Sequence, residues 1–81
     1  MERERVVIYT TDYCGYCRRA KQLLTDRGIG YTEVDVTEDP EQRAWLAEKT
    51  GRRTVPQIFI NEEPIGGYDD LVALARAGKL S

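Results

Sequence analysis

Two cysteines, Cys14 and Cys17, stand three residues apart at the point where a strand pattern gives way to a helix pattern. Residues 6–10, just before them, are β-branched or aromatic and almost all apolar, as in a strand that is buried on both faces. From Cys17 onward the apolar residues, such as Ala20 and Leu24, recur at helical spacing. The Cys-x-x-Cys motif therefore belongs at the end of a buried strand and the start of a helix.

Composition excludes several classes of function. The chain has 81 residues, a length that predicts one domain, residues 1–81. Fourteen acidic and twelve basic residues give a net charge of −2, so we expect no nucleic-acid partner, which usually needs a basic excess. No apolar run is long enough for an export signal or a membrane span, so we expect a cytoplasmic protein without a membrane partner. The lack of histidine excludes Cys–His and Ser–His catalytic pairs, and two cysteines do not complete a four-ligand zinc site.

Seven segments alternate between strand and helix patterns. Strands are predicted at residues 6–10, 31–36, 56–60 and 63–66, and the three helices end at Gly28, Gly51 and Gly78. Asp39 and Pro40 form a strong start for the second helix, on which Trp45 is expected to face the core. The order β-α-β-α-β-β-α predicts an α/β fold with a four-stranded mixed β-sheet and three helices on its two faces, and Pro64 confines the last strand to an edge.

The position of the motif favours thiol chemistry. A helix N-terminus carries unpaired N–H groups and partial positive charge, which favour a thiolate, and Arg18, Arg19 and Lys21 add cations nearby. We assign Cys14, the first of the pair, as the exposed nucleophile and Cys17, one turn inward, as the resolving thiol. Because a more acidic thiol is also a weaker nucleophile, the chain should contain a site that positions a thiol substrate. A structural disulfide, or half of a zinc site shared between chains, is the alternative interpretation.

Three motifs in order resemble those of the glutaredoxin family, namely Cys14-Gly15-Tyr16-Cys17, Thr54-Val55-Pro56 and Gly66-Gly67-Tyr68-Asp69-Asp70. The resemblance is to the small bacterial dithiol members and covers residues 6–80. It implies a thioredoxin-like fold and a glutathione-dependent thiol–disulfide oxidoreductase that reduces protein disulfides and glutathione mixed disulfides. It also implies a cis peptide bond before Pro56.

The same resemblance implies how glutathione is held. The residues that it assigns to glutathione are Tyr16, Arg53, Thr54, Val55, Pro56, Gly67, Tyr68, Asp69 and Asp70. N–H groups at the start of the last helix suit the γ-glutamyl carboxylate, and Asp69 or Asp70 suits its ammonium. Arg52 or Arg53, with Arg53 preferred, is expected to meet the glycine carboxylate. Tyr16 is expected to pack beside the tripeptide, and Tyr13 flanks the motif as a surface aromatic residue.

Two positions depart from the family pattern. Thr11 stands where many relatives carry lysine, so a cation is lost, and we expect either weaker glutathione binding or compensation by Arg52 or Arg53. Gly15 stands where dithiol relatives usually have proline. Some non-proline members hold a [2Fe–2S] cluster between two protomers, ligated by the first cysteine of each chain and by two glutathione thiolates. Two copies of Cys14 would serve in that role here.

Three functions therefore remain open at the level of sequence. The favoured one is a monomeric glutathione-dependent oxidoreductase whose partners are glutathione and glutathionylated or disulfide-containing proteins. The second is a cluster carrier that forms a cluster-bridged homodimer. The third is a redoxin that thioredoxin reductase, instead of glutathione, keeps reduced.

Overall fold

The structure, a computed structural model, describes residues 5–79; residues 1–4 and 80–81 lie outside the described part. The elements are β1 (Val6–Thr10), α1 (Gly15–Asp26), β2 (Thr32–Asp35), α2 (Pro40–Thr50), β3 (Gln57–Ile60), β4 (Glu63–Gly66) and α3 (Tyr68–Arg76). Their order is the predicted one. The second strand is one residue shorter at each end than predicted, and the third begins one residue later.

The four strands form one mixed sheet in the order β2-β1-β3-β4. The central strand β1 runs parallel to β2 and antiparallel to β3, and β3 and β4 form an antiparallel hairpin. Asn61 and Glu62 close the hairpin with φ values of 52° and 70°, the left-handed conformation that a tight two-residue hairpin turn requires. Pro64 lies on the edge strand β4, as predicted.

The sheet separates two apolar clusters. Helices α1 and α3 pack on one face around a fully apolar core, which consists of Val6, Ile8, Ala20, Leu24, Ile58, Leu71 and Ala75. Helix α2 covers the other face, where Leu46 packs with Val36 and Phe59. Successive side chains of β1 point to opposite faces of the sheet, so this one strand packs into both clusters. The Cys-x-x-Cys motif follows directly after it in the chain.

The expectation that Trp45 lies in the core is wrong. Its side chain is 41% exposed, and its neighbour Leu46 takes the buried position on α2. The indole instead covers the rim of the second cluster, where it stacks on Phe59 with ring centroids 5.8 Å apart and contacts Tyr9 at the same distance.

The helix boundaries follow the signals in the sequence. The carboxylate of Asp39 accepts the N–H of Gln42 at 3.0 Å and so caps the start of α2. Gly51 ends α2 in the left-handed conformation, with φ 74°. Between residues 5 and 79, none of the helices has the length and apolarity that crossing a membrane requires.

Candidate active site

Cys14 lies at the junction of β1 and α1 and is the N-cap residue of the helix. Its sulfur accepts the backbone N–H of Cys17 at 3.2 Å, which is one of the N–H groups that a helix start leaves without an intrahelical partner. The thiol is half-buried and donates to the carbonyl oxygen of Val55 at 3.5 Å. The sulfur of Cys14 thus lies just after the end of β1, in contact with both the N-terminus of α1 and the loop that precedes β3.

Cys17 lies beneath Cys14 and is almost inaccessible, with 1% of its surface exposed. Burial, and after it the hydrogen bond with Cys14, raise the pKa of its thiol to about 12, against smaller opposing effects of the Thr11 backbone N–H and of Lys21. Both cysteines are free thiols in this structure. Cys17 is therefore a protonated thiol near neutral pH, and Cys14 is the more accessible of the two sulfur atoms.

A groove of about 330 Å³ begins next to Cys14 and runs between the start of α1, the loop before β3 and the start of α3. Its lining residues are Tyr16, Arg52, Thr54, Val55, Pro56, Gly67, Tyr68, Asp69 and Asp70. The expected cis peptide bond is present between Val55 and Pro56. Eight of the nine residues that the resemblance assigns to glutathione thus lie around a single groove.

Arg53 is the exception. It lies outside the groove, beside the α2 residues Ala44, Ala47 and Glu48, whereas Arg52 lines the groove. Both arginines border a small cleft in the loop before β3, but of the two only Arg52 also lines the groove. The placement favours Arg52 over Arg53 as the cation of the groove, and a contact of either with glutathione stays a prediction.

The carboxylate of Asp70 already has two hydrogen-bond donors at the start of α3. It accepts the backbone N–H of Gly67 at 3.0 Å and the guanidinium of Arg52 at 3.2 Å. These contacts, led by the Gly67 N–H, lower the pKa of the Asp70 carboxyl. Asp69 is exposed and has no such bond to the backbone of the helix start. The hydrogen bond across the start of α3 is one that the sequence analysis did not find, although the spacing of Gly67 and Asp70 is that of a capping box.

Two aromatic side chains form one wall of the groove. The rings of Tyr16 on α1 and Tyr68 on α3 lie 5.9 Å apart, and the guanidinium of Arg19 lies 5.4 Å from the centre of the Tyr16 ring. Lys21 instead forms an ion pair with Glu33 on β2 at 2.9 Å. Two of the three cations predicted to surround Cys14 therefore have other partners.

Thr11 is turned inward. Its side chain is 4% exposed and does not line the groove, and the hydroxyl has no hydrogen-bond partner among the described residues. Thr11 thus contributes packing, while Arg52 supplies positive charge to the groove from the loop before β3.

For a [2Fe–2S] cluster shared between two chains, each chain would supply one cysteine ligand. Among residues 5–79, no group of three or more His, Cys, Asp or Glu side chains is arranged to hold a metal ion. With Cys17 buried, a single chain offers one accessible thiolate, Cys14, so a [2Fe–2S] cluster needs a second copy and two external thiolates. The cluster-bridged dimer stays a prediction.

Comparison with known proteins identifies the family to which this sequence and fold belong. Residues 6–65 match the family model described as Glutaredoxin. The chain is 59% identical to a glutaredoxin of Pseudomonas aeruginosa over 75 residues, which cover 93% of this chain and 89% of the relative. It is 45% identical to glutaredoxin 3 of Escherichia coli over 75 residues, covering 93% and 90% of the two chains.

Solved structures show the same relationship. A buckwheat glutaredoxin–glutathione complex superimposes with a TM-score of 0.87 at 36% identity and covers 95% of this chain and 73% of that one. A glutaredoxin from Brucella melitensis gives a TM-score of 0.84 at 50% identity, covering 94% and 83%. The predicted thioredoxin-like fold is confirmed. From its sequence, its fold and the order of its three motifs, this chain belongs to the glutaredoxin family.

Proposed function

We propose that the protein is a glutathione-dependent thiol–disulfide oxidoreductase that reduces glutathione mixed disulfides and protein disulfides. The observation that carries this proposal is the position of Cys14, whose sulfur lies against the Val55 carbonyl at the edge of the groove. A tripeptide bound there in extended form has its own sulfur next to this thiol. A buckwheat relative of the same fold was solved in complex with glutathione, which supports glutathione as the occupant.

Cys14 acts as the nucleophile. Its thiolate attacks the glutathione sulfur of a mixed disulfide, a Cys14–glutathione disulfide forms, and the substrate protein leaves as a thiolate that takes up a proton. A second glutathione thiolate then attacks the bound glutathione sulfur, which releases glutathione disulfide and restores the Cys14 thiolate. The net reaction converts the mixed disulfide and one free glutathione into the protein thiol and glutathione disulfide, and Cys14 is regenerated.

Cys17 acts only where a protein disulfide is the substrate. The Cys14 thiolate first attacks one sulfur of the protein disulfide, whose S–S bond breaks as a mixed disulfide forms and the other protein sulfur leaves as a thiolate. Cys17 then loses its proton and attacks the Cys14 sulfur, the mixed disulfide breaks, and the second protein thiolate leaves and takes up a proton. The burial and high pKa of Cys17 keep its thiol protonated until that stage, so it does not compete for the first attack. Glutathione afterwards reduces the Cys14–Cys17 disulfide.

The groove has charges for both ends of glutathione. The N–H groups at the start of α3 suit a carboxylate, since they carry the partial positive charge of a helix N-terminus. The exposed carboxylate of Asp69 suits the ammonium, because Asp70 is occupied by Gly67 and Arg52. Arg52 is the guanidinium available to a glutathione carboxylate, and Tyr16 offers its ring to the peptide.

The test is turnover of the mixed disulfide of glutathione and 2-mercaptoethanol, followed as NADPH consumption with glutathione and glutathione reductase. We expect activity for the wild type, substantial activity for Cys17→Ser and none for Cys14→Ser. A dead Cys17→Ser with an active Cys14→Ser would reverse the two roles. Activity with NADPH and thioredoxin reductase alone would contradict the dependence on glutathione.

A further inference from the structure

An exposed tyrosine lies beside Cys14 on the side away from the glutathione groove. Tyr13 is 69% exposed, the highest value among the large apolar residues of the described part of the chain, and it does not line the groove. Arg43 of α2 donates from Nη1 to the Tyr13 hydroxyl oxygen at 3.4 Å. The pair joins the motif to a helix on the opposite face of the sheet from α1 and α3.

Further arginine side chains lie close to the Tyr13–Arg43 pair. Arg43 and Arg53 line one small cleft under the loop that carries the Val55 carbonyl, together with Arg52 at its border with the groove. Within residues 5–79 the ion pairs are Lys21–Glu33 and Arg52–Asp70, so Arg43 and Arg53 have no carboxylate within 4.0 Å there.

Acidic residues lie near these arginines, Glu48 among them, which lines a cavity with Arg53, but in the described part of the chain none comes within 4.0 Å of the guanidinium groups of Arg43 and Arg53. The carboxylate of Asp39, one turn before Arg43 on α2, is bound to the N–H of Gln42 as the helix cap. Asp12, next to Tyr13, is exposed and forms no ion pair with the arginines. The surface formed by Tyr13, Arg43 and Arg53, called here the α2-side surface, therefore presents an aromatic ring and two guanidinium groups to an incoming molecule.

A glutathione mixed disulfide consists of glutathione and a protein, and the proposed function assigns a binding site only to the glutathione. With glutathione in the groove on the α1 and α3 side, the protein half of the disulfide must approach Cys14 from another direction. The α2-side surface is adjacent to Cys14, and none of its three residues lines the groove. Tyr and Arg are also the residue types that protein interfaces favour.

We propose that the α2-side surface docks the protein half of the mixed disulfide and selects segments that carry carboxylates next to the glutathionylated cysteine. This inference rests on the proposed function. Charge complementarity identifies the partner: the guanidinium groups of Arg43 and Arg53 need anions, and Tyr13 packs against the backbone or an apolar side chain beside the cysteine. The chain as a whole carries a net charge of −2 and would repel such a segment, so a preference for acidic substrates must come from this local surface.

The experiment compares two synthetic glutathionylated peptides that differ only in flanking residues, two glutamates in one and two lysines in the other. The wild type should turn over the acidic peptide with a kcat/KM higher by about two- to fivefold for each ion pair formed, and 0.5 M NaCl should reduce the ratio. Arg43→Gln should lower the ratio while turnover of the mixed disulfide with 2-mercaptoethanol stays at the wild-type rate. Arg27→Gln, which makes the same charge change at the far end of α1, is the matched control and should keep the wild-type ratio.

Equal turnover of the two peptides by the wild type, a preference for the lysine peptide, or an unchanged ratio in Arg43→Gln would overturn the inference. An equal fall of the ratio in Arg27→Gln would overturn it as well, because the effect would then follow net charge alone. These failures leave the proposed function intact, since that function is tested separately by turnover of the small mixed disulfide.

Discussion

The backbone N–H of Cys17 donates a hydrogen bond to the sulfur of Cys14 at 3.2 Å, while the side chain of Cys17 itself is 1% exposed. The two thiols of one short motif therefore differ in exposure and in their position relative to the helix start. One sits at a helix N-terminus with access to solvent, and the other lies under it with a pKa of about 12.

This difference predicts the outcome of alkylation. At pH 7, iodoacetamide should modify one thiol of the reduced native protein, and peptide mass spectrometry should place the label on Cys14. Cys17 should react only after unfolding in denaturant, because its sulfur is buried and protonated. Cys14→Ser is the control and should take up no label when folded. Comparable labelling of Cys17 in the native wild type would contradict the assignment.

A second prediction concerns stability in acid. The Thr10 hydroxyl, and then the Lys21 ammonium, lower the pKa of the Glu33 carboxyl, to which they donate at 2.7 Å and 2.9 Å. A lowered pKa in the folded state means that the carboxylate contributes stability above its unfolded pKa, and this contribution is lost as the pH falls through the folded value. Wild type should therefore be more stable than Glu33→Gln at pH 7, with the difference shrinking as the pH falls below about 4.

Urea unfolding of wild type and Glu33→Gln at several pH values between 7 and 2 measures this effect. Glu63→Gln is the matched control, since Glu63 is an exposed glutamate on the edge strand β4 without an ion pair in the described part of the chain. A difference between wild type and Glu33→Gln that stays constant over this range would show that the hydrogen bonds of Glu33 do not depend on its charge.

The sequence predicts what is decided locally. The start of α2 follows from Asp39 and Pro40, and its end from Gly51, because caps and left-handed glycines act within a few residues. The position of Cys14 at a helix start follows in the same way from the change of hydrophobic period. These features need no knowledge of the rest of the fold.

Side-chain direction in the loops and at helix borders was less predictable. Arg52 and Arg53 are equivalent in sequence, and only the path of the chain into β3 decides which of them faces the groove. Trp45 lies within one residue of the buried position on α2, and the rotation of the helix against the sheet decides that Leu46 fills it. The engagement of Asp70 by Arg52 joins residues 18 apart in sequence, so no local pattern indicates it.

A third prediction is that replacing Gly66 and replacing Gly67, the two glycines before α3, by alanine will have different effects. Gly66 has φ 115°, and a Cβ there would collide with the Asp70 carboxylate, so Gly66→Ala should break the bond to the Gly67 N–H and destabilise the protein by about 1–3 kcal/mol. Gly67 has φ −100°, and its Cβ would lie 3.2 Å from the Pro56 carbonyl oxygen. Gly67→Ala should therefore cost less stability and should mainly weaken glutathione binding by shifting the groove wall.

Thermal unfolding and calorimetric titration with glutathione distinguish the two effects. Gly30→Ala is the control for both, because a Cβ at Gly30 meets nothing within 4 Å and its φ is not positive. The argument fails if Gly66→Ala is as stable as this control, or if Gly67→Ala binds glutathione as tightly as the wild type does.

A fourth prediction is that proline at position 15 stabilises the fold. Gly15 is the first residue of α1, where the N–H has no intrahelical acceptor and the φ of proline suits the helix. Cys14, with φ −101° and ψ 113°, already has the extended conformation that a residue before proline requires, and a Cβ at Gly15 meets nothing within 4 Å. Gly15→Pro should therefore raise the unfolding free energy by about 0.4–1 kcal/mol, because it restricts the unfolded chain without straining the native one.

In a domain of this size such a gain corresponds to an increase in Tm of about 2–8 °C, which differential scanning calorimetry of the reduced protein resolves. Gly15→Ala is the matched control: it adds a side chain in the same open space but leaves φ freer in the unfolded chain, so its gain should be smaller. A Tm of Gly15→Pro below that of wild type would mean that the N–H of Gly15 has a stabilising role at the helix start, and that its loss outweighs the entropy gained.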